Sequence, residues 1–315
     1  AHYELYRLID FFFTYNDTNA THIIDYTLSL HRRSSDLSIS SYWYQHDKKI
    51  ESYVGQLFSD WSDNFSTEIK ASYRDYSAIR NPSAPGTPAI LIGFGGLNSN
   101  RESVANPTLY LGTEANTQYN ELYTKTWNYF ASGTLTLGDH DVKFGADYSK
   151  NEIYNLYAPN IDGYLVYNGI EGFRNNTPVV STWRNPVDGG VESLAADYDY
   201  TTLGLFVQDT WYVNSNLTLT LGVRADKYDT NKDTAYNQRA SEFFGYDNRS
   251  IGDNGFMVQP RVGFNYTLDS DRPTQLRVGV GLFRGEAPQV WLGNIYANNG
   301  VNFTQGTDYP YANRN

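Results

Sequence analysis

Residues 202–226 read TLGLFVQDTWYVNSNLTLTLGVRAD, and the alternation within this stretch decides the fold. In Leu217–Asp226 (LTLTLGVRAD), Leu217, Leu219, Leu221, Val223 and Ala225 fall on one face of an extended strand. Thr218, Thr220, Gly222, Arg224 and Asp226 fall on the other. Strand side chains alternate, so one face is uniformly apolar and the other is small or charged. Thr202–Val213 precedes it across the three-residue turn Asn214-Ser215-Asn216, which makes a β-hairpin. A soluble sheet shows the same split. What separates the two readings is recurrence: the pattern returns in hairpin after hairpin, with Trp and Tyr near the strand ends. That is the arrangement of an outer-membrane barrel, apolar toward lipid and polar toward a wet lumen.

Working outward, Tyr3–Tyr15 and His22–Arg33 flank Asn16–Thr21, and Leu37–Asp60 and Phe65–Ser77 flank Trp61–Asn64. Tyr119–Leu137 and Val142–Tyr154 flank Gly138–Asp141, and Val258–Leu268 and Thr274–Arg284 flank Asp269–Pro273. With the central pair these predict five hairpins, or ten strands. The remaining connections, Ala78–Gln118, Asn155–Asp199 and Thr230–Gly255, are long and rich in Gly, Asn, Pro and Tyr. Short turns at one end and long loops at the other match the periplasmic and extracellular ends of such barrels. A tilted spanning strand needs about 9–11 residues. Tyr119–Leu137 and Leu37–Asp60 are near twice that, so the sheet is expected to stand well above the membrane.

Composition agrees. The chain has 28 Tyr, 16 Phe and 6 Trp, yet its mean hydropathy is -0.55, as expected where half of each strand faces water. No segment approaches the roughly 18 consecutive apolar residues of a membrane helix. There is no cysteine, and so no disulfide framework. The net charge of -11 argues against nucleic acid, because phosphate binding needs basic clusters. It suits cations, including the divalent ions of a lipopolysaccharide leaflet. The expected surroundings are therefore outer-membrane lipid and lipopolysaccharide.

No catalytic constellation stands out, and His2, His22, His31, His46 and His140 lack metal-ligand spacing. The chain reads as a non-enzyme without a cofactor. Acidic pairs at Asp197/Asp199, Asp226/Asp229/Asp233 and Asp269/Asp271 offer carboxylate oxygen to calcium. Solvated loop charge explains them as simply. Strand parity turns Glu68, Lys70, Arg74, Lys143, Asp147, Arg224, Asp226, Arg261 and Arg277 toward the lumen. There they form cross-strand pairs or simply a hydrated wall. Among loop aromatics, Tyr157, Tyr164, Tyr167, Trp183 and Trp291 are the candidate ligand contacts, since aromatic faces capture saccharide, peptide or chelate.

The segment LGLFVQDTWYVNSNLTLTLGVRADKYD (Leu203–Asp229) also resembles a hairpin of TonB-dependent outer-membrane receptors, with Gln208, Asp209, Trp211, Leu217–Leu219, Gly222, Arg224 and Asp226 at matching positions. Pro260–Leu268 and Leu276–Leu292 follow in that family's order. Ser40–Tyr76 and Asp139–Asn155 are similar to Oar-type members, which carry an N-terminal carboxypeptidase-regulatory-like domain. The resemblance implies a barrel of the 22-stranded type plugged by an N-terminal domain behind a TonB box. It also implies import of a scarce chelated metal, peptide or saccharide, with TonB as the energy-coupling partner. The lumen charges would then help to anchor the plug. Residues 1–315 contain no segment that reads as plug, TonB box or closing C-terminal strand. The expectation is therefore one partial barrel domain, an incomplete segment of an all-β transmembrane antiparallel β-barrel. Two other functions fit a barrel: a passive pore of 10–12 strands, and a structural or adhesive surface protein.

Overall fold

The structure, a computed structural model, describes residues 9–24, 37–94, 107–249, 255–272, 274–285 and 289–309. Among the described residues fifteen strands and three α-helices succeed one another: β1 Ile9–Ile24, β2 Leu37–Ser38, β3 Tyr44–Ser62, β4 Phe65–Pro82, β5 Ala89–Gly93, β6 Thr108–Gly112, β7 Asn120–Leu137, β8 His140–Tyr157, β9 Tyr164–Asn168, α1 Gly169–Arg174, β10 Val180–Pro186, β11 Ala196–Tyr212, β12 Leu217–Thr230, α2 Gln238–Phe244, β13 Met257–Leu268, β14 Thr274–Gly281, α3 Gln289–Ala297 and β15 Phe303–Asp308. They form two sheets. The larger is an antiparallel meander of nine strands in the order β1-β3-β4-β7-β8-β11-β12-β13-β14.

Its turns are as tight as the sequence implies. Leu137 pairs with His140, leaving Gly138 and Asp139 as a two-residue loop. Gly138 takes φ 61°, the left-handed conformation such hairpins need. At Asn214–Asn216 the Asn214 Oδ1 accepts from the Asn216 and Leu217 amides, both at 2.9 Å.

Register defines the membrane band. Ile69, Ala131, Ala146, Leu205, Ala225 and Val258 form one continuous outward row through successive pairings. Toward the loop end the same face becomes aromatic. Tyr53 stacks on Tyr73 at 6.4 Å, Tyr73 meets Trp127 at 5.2 Å, and Tyr129 stacks on Tyr148 at 6.5 Å. Just beyond runs the charged row Glu51, Asp75, Lys125, Glu152, Asp199, with Lys150 bonded to Glu152 at 2.8 Å and Asp199 at 3.2 Å. Apolar face, aromatic girdle and charge, in that order, mark a bilayer interface. From Phe65 to Tyr73 the strand rises about 26 Å at roughly 3.3 Å per residue, close to one hydrocarbon thickness. β4 then continues to Pro82, so the wall does stand above the membrane.

The second sheet was not legible. Six short strands order as β15-β10-β9-β5-β6-β2, with β5 parallel to β9 and β2 parallel to β6. They come from four stretches of chain: before β3, between β4 and β7, between β8 and β11, and after β14. Two of the long connections, with the stretches before β3 and after β14, are thus woven into one cap. Ala89 and Ile92, at 0% and 1% exposure, sit in its interior.

Two expectations are corrected. Asn16–Thr21 is not a turn: β1 runs unbroken through it, paired residue for residue with β3. The long partner strand offers a ladder along the whole length of β1, and that outweighs the turn preference of Asn and Asp. Among the described residues the wall shows nine strands; residues 3–8 of the first expected strand and 25–33 of the second lie outside the described residues. Leu37–Asp60 is not one strand either, because a 3-10 turn at Ser40–Tyr42 separates β2 in the cap from β3 in the wall. No helix among the described residues is long and apolar enough to cross a membrane.

Candidate functional site

The inner face is the one opposite the apolar band. α3 packs against it near the loop end. Tyr296 stacks on Tyr198 with ring centroids 4.4 Å apart, and Ile153, Ala196 and Tyr200 complete the cluster. The Tyr198 hydroxyl donates to the Gln289 carbonyl at 3.3 Å, and the Tyr296 hydroxyl to the Lys232 carbonyl at 2.7 Å. Tyr198 lies above the girdle. Burial, helped by the neighbouring Tyr296 and Tyr200, pushes its phenol up to about 12.

Lower on the same face, the charges predicted from strand parity fall into two groups. Arg224 on β12 makes a bidentate pair with Asp147 on β8, at 2.6 and 2.9 Å, and a second pair with Asp226 at 2.7 Å. β11 lies between β8 and β12, so the contact must cross it. Gly204 permits this, because a Cβ there would sit 2.0 Å from Arg224 Nη2. Asp226, only 4% exposed, also accepts from the Gln259 amide. The Gln259 Oε1 accepts from the Arg284 amide at 2.7 Å, and the Arg284 guanidinium lies 3.4 Å over the Tyr228 ring. Glu68 takes Lys143 at 3.5 Å, across the intervening β7, and Gln56 at 2.7 Å.

The remaining predicted charges are different. Lys70, Arg74, Arg261 and Arg277 have no carboxylate within ion-pair distance among the described residues. Arg261 lies over Gly222, its Nε 2.8 Å from where a Cβ would stand. Arg277 holds only Gln275, at 2.9 Å. Lys70 borders an inner-wall cavity of about 350 Å³ with Glu68, Ser72, Asn128, Phe130 and Asp147.

The five loop aromatics do not converge. Trp291, at 71% exposure, projects from α3, and Tyr157, at 42%, tops β8 with its hydroxyl on Asn116 at 2.8 Å. Tyr167 is 3% exposed, bonded to Asn176 at 2.9 Å and edge-on to Phe173. Its ring fills the cap interior, as does much of Tyr164, whose phenol burial pushes up. Trp183 covers Gly306 on β15 and donates to Asp308 at 3.3 Å. An exposed aromatic set that the sequence reading missed lies on α2 and just beyond it: Phe243, Phe244 and Tyr246, at 82%, 63% and 66%. The adjacent Phe-Phe pair was the available signal. The acidic pairs considered for calcium hold protein partners: Lys232 on Asp197, Lys150 on Asp199, Arg224 on Asp226 and the Asn216 amide on Asp269.

A nine-stranded meander with a lipid-facing band, an aromatic girdle and a charged inner face defines the wall of an integral outer-membrane β-barrel. A family model described as "Outer membrane beta barrel domain" matches residues 9–315, and the chain belongs to that family. No curated protein matches. Among solved structures, the chain is similar to "Copper transporter OprC", at 15% identity and TM-score 0.42 over 76% of this chain and 30% of that one. It is also similar to the ferripyoverdine receptor of the outer membrane of Pseudomonas aeruginosa, at 13% identity and TM-score 0.34 over 84% of this chain and 40% of that one. The chain thus spans less than half the length of either.

Proposed function

We propose that this chain is part of the wall of a TonB-dependent importer, completed elsewhere in the protein by further strands, a plug and a TonB-contacting segment. The observation that carries the reading is the cap. Four separate stretches of chain are woven into one six-stranded sheet at the loop end of a wall taller than the bilayer. A passive pore gains nothing from such a cover. A receptor needs it, because ligand capture at the cell surface must precede passage. β1 and β14 do not pair with each other among the described residues, and an open sheet edge is untenable in lipid. That supports a larger barrel over one closed by these nine strands. The TonB-receptor hairpin at Leu203–Asp229, with its Oar-type flanks, supports the same reading. On this reading the protein performs no covalent chemistry, the long connections are extracellular, and the tight turns are periplasmic.

The test is electrical. In planar bilayers of potassium chloride, the purified full-length protein is expected to show no steady conductance until a denaturant displaces the plug. Steady porin-like conductance in native protein would overturn the importer reading and favour the passive pore.

A further inference from the structure

We infer that the inner wall is an electropositive conduit for anionic solutes, with its densest line on β4; the direction of travel rests on the importer reading, but the electrostatics do not. The chain as a whole is acidic, with net charge -11. Its inner face is not. There the carboxylates of the mid-wall are spent on cations: Glu68 on Lys143, Asp147 and Asp226 on Arg224. Lys48, Lys70, Arg74, Arg80, Arg261 and Arg277 face the same lumen and have no carboxylate partner among the described residues. The acidic row at this height, Glu51, Asp75, Glu152 and Asp199, lies on the outer face, where strand alternation keeps it away from the lumen.

On β4 the cations form a ladder. Lys70 stands level with the middle of the apolar band, beside Ile69 and Ala71. Arg74 stands at the girdle, about 13 Å higher at roughly 3.3 Å per residue. Arg80 stands about 20 Å above that, near the cap, on the same scale, with its guanidinium 5.9 Å over the Tyr44 ring. Lys48, opposite Ala78 on the neighbouring β3, fills the gap below Arg80. Between Lys70 and Arg74 the wall offers Ser72 and Asn128, hydroxyl and amide donors suited to oxyanions. Glu68 and Asp147 border the same cavity as Lys70, but each is held by a cation, so the uncompensated charge along the ladder is positive, and a low-dielectric wall of one net sign concentrates the opposite ion. The matching cargo carries carboxylate, phosphate or sulfate groups. The competing occupant is an acidic protein segment docked on the ladder.

Residues 1–315 contain no cysteine, and the full-length protein without an added thiol is the blank. Ser72→Cys places a thiol between the two lower rungs, and Val54→Cys, its cross-strand partner position, is the second site should the first disturb folding. In whole cells carrying the full-length protein, two methanethiosulfonate reagents of equal size are compared, one sulfonate-bearing and one trimethylammonium-bearing. The sulfonate reagent is expected to react on the order of tenfold faster, and tripolyphosphate to slow it. In the Lys70→Gln/Arg74→Gln background the preference should disappear. A rate ratio near one, or one favouring the ammonium reagent, overturns the proposal. So does a lack of reaction with either reagent at both positions, which would place a packed acidic segment on the ladder. The rates should be the same without TonB. An anion preference retained in a protein that conducts steadily would sink the importer reading alone, and a lost preference in a non-conducting protein would sink the conduit alone.

Discussion

The wall and the cap are both β-sheets, yet different physics hold them. In the wall every strand pairs with its neighbour in sequence order across most of its length, and side chains alternate between lipid and lumen. In the cap the strands are two to seven residues long, come from four stretches of chain, and pair partly in parallel. The wall is built by local meander and solvent partition. The cap depends on the wall to bring its strands together.

The sharpest way to break that contrast is to attack the wall where it depends on one missing side chain. Gly204→Val would drive Arg224 off Asp147 and crowd Asp226, at 4% exposure, which would lose Arg224 and keep only Gln259 and the more distant Arg284. Losing one partner of a buried pair costs on the order of 3 kcal/mol, so a marked fall in the urea midpoint of the micellar protein is expected, read by tryptophan fluorescence. Gly55→Ala, where an added Cβ meets nothing within 4 Å, is the control and should change little. Equal effects of the two would show that Gly204 is not a window for Arg224.

The joint between wall and cap comes next. Tyr198→Leu removes the stack on Tyr296, worth about 1 kcal/mol beyond area. α3 should then become the first site of proteolytic cutting while the wall stays intact. The same joint has a pH signature. The Tyr198 phenol is held at about 12 against an ordinary 10.0. Its stabilisation is therefore complete below pH 10 and is lost as pH rises toward 12. Hydrogen exchange of α3 should accelerate in that window, and Tyr198→Phe should flatten the response. A Tyr198→Phe protein that keeps the full alkaline transition would assign it to another group.

Within the cap, burial raises the Asp162 carboxyl, and its Oδ2 is buried without a hydrogen-bond partner. A raised carboxylate pKa means that the cap loses stability as pH climbs from below the ordinary 3.8 through the raised value. Asp162→Asn should remove that loss, slowing amide exchange in β5 and β9 at neutral pH. Faster exchange in the variant would show that the charge is needed. The smallest effect belongs to Glu171→Gln on α1. Its pair with Arg174 has side-chain exposures of 75% and 68%. Exposed pairs contribute about 0–1 kcal/mol, so the cap's exchange pattern should not move measurably.

The same contrast explains what could be read in advance. Wall strands announce themselves by period two, as Leu217–Ala225 does, and the same parity groups Glu68, Lys143, Asp147 and Arg224 on one face of the register. Which charge meets which was not legible. Arg224 reaches Asp147 only because Gly204 stands opposite Asp147 and Asp226 in the register, and that three-strand alignment is absent from any one segment. Cap strands such as AILIG (Ala89–Gly93) and YLVYN (Tyr164–Asn168) are short and scarcely alternate. Their pairing is with each other, far apart in sequence. So Tyr167 looked like an exposed loop aromatic when it is a core residue. The Asn16–Thr21 error has the opposite origin, since local turn chemistry was overruled by a long partner strand.

The contacts across Gly204 have a mechanical meaning. Backbone hydrogen bonds join only adjacent strands, so hoop tension in a barrel is passed from one ladder to the next. Lys143–Glu68 and Arg224–Asp147 each skip a strand, both start from β8, and Asp226–Gln259 carries the line on to β13. Together they form a belt on three adjacent rows of the inner face, from β4 to β13, that does not rely on the ladders it crosses. At that height the wall should resist being pulled out of round, even where a single backbone ladder is strained.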